Sequence, residues 1–203
     1  MPNSRTVRLG SVINLPVSSE FAEIETAARA FRWRPEVQAV EIGSPQRIAP
    51  LSLALEAEVT PPRDEEAVAS GRLVILHNPA GEDAWAGTTR YVSFAQADVE
   101  FEMASDPLLA DVAWSWLLDA LQHAGAEYLA ASGTVTSMTS RSFGSLDETP
   151  QRAEIEMRCS WTPVGDAGAP HLEAWEELLC QLAGLEPIVE GVTSLSRRTR
   201  DGL

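Results

Sequence analysis

Along residues 51–60 the chain alternates: Leu51, Leu53, Leu55, Ala57 and Val59 hold one parity, while Glu56 and Glu58 hold the other. A period of two is what a β-strand presents when one side is buried and the other faces water. Similar runs predict strands near 37–43, 72–78 and 88–103, and two more near 127–143 and 152–162. RLVILHN at 72–78 is apolar on both parities, so both its faces need cover. In the last run Ile155, Met157, Cys159 and Trp161 alternate with Glu154, Glu156, Arg158 and Ser160.

Elsewhere the period lengthens to three and four. Phe21, Ile24, Ala28 and Phe31 form a helical stripe over about 20–34, with Glu20 and Glu23 in the first turn, arginines near the end and Pro35 beyond. That charge order suits the helix dipole. Asp106-Pro107 opens a second helix that stops at Gly125, and Pro170 opens a third that ends before Gly184. Both carry Ala-Trp-x-x-Leu-Leu-x-x-Leu, at 113–121 and 174–182, which a duplicated ββα unit or convergence would each explain. Trp114 and Trp175 are expected as core anchors. The order α-ββββ-α-ββ-α predicts one α+β domain: a mostly antiparallel sheet of about six strands with helices mainly on one face. The domain is expected over 1–188, with 1–17 as an N-terminal segment and 189–203 as a flexible basic tail.

Charge narrows the partners. A net charge of −15 repels nucleic-acid phosphates and anionic membranes and favours basic protein partners. No direct nucleic-acid binding is therefore expected, the local exception being Arg197, Arg198 and Arg200 in the tail. No apolar run approaches the roughly 18 residues of a membrane span, and MPNSRTVRLGSVINLPVSS lacks the continuous apolar stretch of a secretory signal. Cys159 and Cys180 fall in strand and helix patterns without a CxxC neighbour, which reads as two buried thiols in a reducing cytoplasm.

Familiar catalytic signatures are missing: no GxGxxG, Walker loop, HExxH or GxSxG occurs, and no cofactor is implied. His123 and His171 are expected at the surface or its boundary. His77 ends a doubly apolar strand and leads into NPAGEDAWAG, so His77 and Trp85, with Arg47 or Arg141, could line a small-molecule pocket. The plainer alternative is a buried His that ties down a loop. Asp98, Glu100 and Glu102 recur at period two and share a strand face, as do Glu56 with Glu58 and Glu154 with Glu156. One antiparallel sheet would gather these carboxylates on its helix-free face, where Arg90, Arg152 and Arg158 or a basic partner relieve the repulsion. A metal is not expected, because evenly spaced strand carboxylates do not build an oxygen cage.

Residues 133–146, GTVTSMTSRSFGSL, lack the glycines of a phosphate loop. They read as a polar strand, with Val135 and Leu129 toward the helices and Thr134, Thr136, Ser140 and Ser142 on the open face. Arg141 would make a site there only by turning inward.

Several blocks are similar to one actinobacterial family: SPQRIAPLSLAL at 44–55, GRLVILHNPAGEDAWAGTTR at 71–90, DPLLADVAWSWLLDAL at 106–121, GTVTSMTSRSFG at 133–144, AEIEMRCSWTP at 153–163 and HLEAWEELLCQLAGL at 171–185. The chain resembles the domain of unknown function 3000 from about residue 20 to 187. The resemblance implies a cytoplasmic bacterial protein and brings no activity, cofactor or catalytic residue. It also implies a gene neighbourhood, since family members are often encoded near a ribonuclease D-like exonuclease, which is proximity of genes and not a mechanism.

The expected function is a non-catalytic interaction protein, adaptor or chaperone-like, that meets an unknown partner through the acidic sheet face. Its element order is similar to that of small acidic secretion chaperones. One alternative is a ligand-binding protein or enzyme with the pocket near His77; another is an accessory to RNA processing that binds an enzyme rather than RNA. Val92 and Phe94 share the parity of Asp98, so one end of the open face is greasy. Either segment 7–17 or a second copy of the chain, in a homodimer, would cover it.

Overall fold

A computed structural model describes residues 19–45, 47–144 and 151–187. β1 (Val37–Ile42), β2 (Leu51–Val59), β3 (Ala69–Glu82) and β4 (Gly87–Asp98) form an antiparallel meander. β5 (Tyr128–Ser140) and β6 (Arg152–Pro163) form a second hairpin, and it is β6 that pairs with β4. The six-stranded order is β1-β2-β3-β4-β6-β5, so β6 is inserted between strands made before it. α1 (Ser19–Ala30), α3 (Leu109–His123) and α4 (Ala169–Leu182) contribute with the sheet to one hydrophobic cluster. The single α+β domain and the element order stand as the hydrophobic periods predict, with a short α2 (Phe101–Ala104) added.

Register explains which parity is buried. Leu53, Leu55, Ala57 and Val59 of β2, and Ile155, Met157, Cys159 and Trp161 of β6, lie in the core. On α4 the whole stripe Trp175, Leu178, Leu179 and Leu182 is buried. The Trp175 ring enters beside Gly71 of β3, where an added Cβ would stand 2.6 Å from Leu179 Cδ2 and 3.1 Å from the indole. α3 differs. Ala113, Leu117, Ala120 and Leu121 are buried, while Trp114 is half-buried over Gly133 of the edge strand β5. Trp114 is therefore a rim residue, because among the described residues no further strand extends the sheet beneath it at that edge.

Four other expectations change. α1 stops at Ala30; Phe31 then packs edge-to-face on Trp33, and the Arg34 N–H donates to Glu176 Oε1 at 2.5 Å. β4 ends at Asp98, which pairs with Glu154, and β6 begins only two residues earlier than Glu154, at Arg152. Beyond Asp98 the strand has almost no partner left, so Glu100 and Glu102 leave the sheet for α2. Leu129 is exposed because two residues of β5, Ala130 and Ala131, stand opposite the single Trp161 of β6, between the pairs Leu129–Thr162 and Ser132–Ser160. That bulge, with Ala130 at φ 49°, shifts the parity and turns Leu129 to the open face. His171 is fully buried rather than superficial: its Nδ1 accepts from Trp161 Nε1 at 3.0 Å, beside the Tyr91 ring. The segment 1–17 and the tail 189–203 lie outside the described residues.

Candidate functional site

Antiparallel register sets the helix-free face out in rows. Glu58, Ser70, Gln96, Glu156 and Thr136 form one row across β2, β3, β4, β6 and β5. Glu56, Arg72, Phe94, Arg158 and Thr134 form the next, and Ala54, Val74, Val92, Ser160 and Ser132 the third. The face therefore grades from carboxylate through ion pair to apolar and hydroxyl.

At the acid end Glu58, Asp98 and Glu154 join Ser70 and Gln96 around a depression of about 200 Å³. Asp98 lies directly opposite Glu154, a like-charge pairing that destabilises a sheet unless something cationic approaches. The other two predicted strand carboxylates are engaged. Arg72 holds Glu56 at 2.8 Å, and Arg158 holds Glu156 at 3.0 Å while its guanidinium sits over the Phe94 ring at 5.5 Å. Arg158 thus covers part of the apolar patch, leaving Val92, 38% exposed, as its open part.

Arg90 behaves differently from the role expected of it. It is 7% exposed, and its guanidinium donates to Thr162 Oγ1 at 3.0 Å, Ser160 Oγ at 2.8 Å and Ser132 Oγ at 3.1 Å. No carboxylate among the described residues relieves it; burial alone presses its pKa below the ordinary arginine value. The β3–β4 turn reaches this spot, since the Thr162 hydroxyl donates to the Trp85 carbonyl.

The residues expected around His77 are not brought together. His77 is fully buried on the helix side, stacked on Phe21, with Nδ1 2.8 Å from Thr89 Oγ1. Burial lowers its pKa against the opposing pull of Glu20. Trp85 lies in the β3–β4 turn. Arg47, at φ 78°, is exposed in the β1–β2 connection, beside a recess of about 550 Å³ lined by Phe21, Glu25, Glu41 and Leu51. Arg141 is exposed just past β5, at the Ser140–Arg152 end of the sheet, whereas His77 pairs with Thr89 at the other end.

Thiol and imidazole chemistry is withdrawn from solvent. Burial pushes the Cys159 thiol up to about 12 and the Cys180 thiol up to about 11, and holds His171 down at about 4. His123, exposed at the end of α3, lies 3.1 Å from Glu177. Among the described residues no group of three His, Cys, Asp or Glu is placed to hold a metal, and no helix is long and apolar enough to cross a membrane.

The Arg90 hydroxyl cluster escaped the sequence because it depends on pairing. Ser132, Ser160, Thr162 and Arg90 come from three strands, and only the β4–β6–β5 order and the β5 bulge align them. None of the four lies in the hydroxyl-rich run at 133–142, which Ser132 only adjoins. No curated protein and no solved structure matches the chain. A family model does match over residues 17–193, most of the length, and on that ground the chain belongs to the family described as protein of unknown function (DUF3000).

Proposed function

We propose that the protein is a non-catalytic interaction module of the cytoplasm, adaptor or chaperone-like, whose helix-free sheet face receives a basic protein partner. The observation that carries this reading is the juxtaposition of Asp98, Glu154 and Glu58 with no arginine paired to them among the described residues. Such a cluster gains most when a cationic side chain of a partner arrives, because attraction to it replaces internal repulsion. Val92 and the Arg158-capped Phe94 supply apolar area beside it. Two unpaired buried thiols agree with a reducing compartment.

The test is affinity capture from the native host with three baits: the parent, an Asp98→Arg/Glu154→Arg variant, and an Asp111→Arg/Asp119→Arg control on the exposed side of α3. A specific basic partner should be retained by parent and control, lost by the face variant, and released by salt. Identical partners on all three baits would refute the reading.

A further inference from the structure

The carboxylates account for one end of the open face and leave Arg90 unexplained at the other. A guanidinium keeps its proton at any physiological pH, and a buried cation with only neutral partners is costly. The chain carries thirty carboxylates, yet none among the described residues is set against this one. Three hydroxyls are.

Proton accounting points outward from that cluster. Thr162 spends its O–H on the Trp85 carbonyl. Ser132 Oγ and Ser160 Oγ both accept from Arg90 and stand 3.3 Å apart, so a single proton serves the bond between them. The second hydroxyl proton has no acceptor among the described residues. Both serines line a groove of about 510 Å³ whose apolar wall is Val74, Val92 and Phe94. Arg72 and Arg158 stand on its rim, each already matched to a glutamate. The groove therefore offers a polarised hydroxyl pair, an apolar wall and one uncompensated positive charge.

We propose that this groove binds a small organic monoanion: a carboxylic acid with an apolar aryl or branched alkyl body. The carboxylate accepts from the Ser132/Ser160 pair, backed by Arg90, and the body lies against Val92 and Phe94. A single charge matches a carboxylate; a dianionic phosphate would overshoot it on a chain already at −15. The groove shares Val92 and Phe94 with the proposed partner face but takes its charge from Arg90, away from Asp98 and Glu154. A titration of the isolated chain needs no partner, so the two readings fail separately.

The full chain is titrated by calorimetry and thermal melting with phenylacetate, with phenethyl alcohol as its neutral counterpart and phenyl phosphate as the dianion. Phenylacetate should bind saturably at one site and raise the melting temperature with concentration. The alcohol should not, and phenyl phosphate should bind more weakly. Ser132→Ala with Ser160→Ala, neither in the hydrophobic core, should weaken phenylacetate by about tenfold or more with the circular dichroism unchanged. Val92→Glu, which sets a tethered carboxylate beside Ser160, should abolish binding of the added acid, and this arm decides the matter if the double variant fails to fold. The proposal is overturned by absence of saturable phenylacetate binding, by equal binding of the alcohol, by tighter binding of phenyl phosphate, or by folded variants with parental affinity.

Discussion

Replacing Trp175 by Ala should cost far more than replacing Trp114, although the two head identical sequence patterns. The Trp175 ring is fully buried, meets Trp33 edge-to-face at 5.7 Å, and donates from Nε1 to Ser93 Oγ at 3.0 Å. A buried tryptophan removes on the order of 200 Å² from water, worth about 5 kcal/mol at roughly 25 cal/mol per Å². A compact unfolded chain reduces that figure, while the cavity left behind and the donor lost to Ser93 raise it again. About 3–5 kcal/mol is the expected loss. Trp114 is half-buried, so about 2 kcal/mol follows from the same area argument. Urea titrations followed by far-ultraviolet circular dichroism measure both, since tryptophan emission would lose a reporter in each variant. The Trp175 variant should also melt roughly 10 °C lower than the parent. Equal losses at unchanged denaturant slope, or a larger loss for Trp114, would refute the packing argument.

Gly71→Ala should destabilise by about 1–3 kcal/mol, because its Cβ would press on Leu179 inside a filled core. Combining it with Leu179→Ala should recover part of that cost, seen as a positive coupling in a double-mutant cycle. Burial holds His171 at about 4, against the weaker opposite pull of Asp166, while the unfolded chain takes its proton near about 6.5. The unfolded state therefore binds more protons between those values. This contribution is intact above about pH 6.5 and drains as pH falls toward about 4, the loss reaching about 2 kcal/mol at about pH 5. Denaturant titrations should show that slope, and His171→Gln should flatten it. Cys159 and Cys180 should resist a disulfide reagent at mildly alkaline pH until urea unfolds the chain; fast labelling of the native protein would contradict their burial.

Where hydrophobic period and length coincided, the sequence was readable. β2 buries its predicted parity from Leu53 to Val59 and α4 its whole stripe from Trp175 to Leu182, since each has neighbours on both sides. Legibility failed at edges and ends. The period-two run Asp98, Glu100, Glu102 reads as a strand, but a strand persists only as far as its neighbours, and here both run out. The same limit explains Trp114, whose stripe is as regular as that of Trp175 but faces an edge strand. Composition along one strand says nothing about which side chains lie beside it. Arg90 therefore looked like a counter-charge for the glutamates, while its partners are serines and a threonine from strands 42 to 72 residues away.

The insertion of β6 between β4 and β5 has a consequence for synthesis. A nascent chain can close the β1–β4 meander early, but the outer edge of β4 meets no partner until Pro163 has left the ribosome. At roughly 5–20 residues per second that wait is on the order of ten seconds or less. During it the backbone groups flanking Val92 and Phe94 are a template for any other extended chain. Chains released early, anywhere short of β6, would thus be sticky out of proportion to the length they lack, and rapid folding of the meander does nothing to protect them.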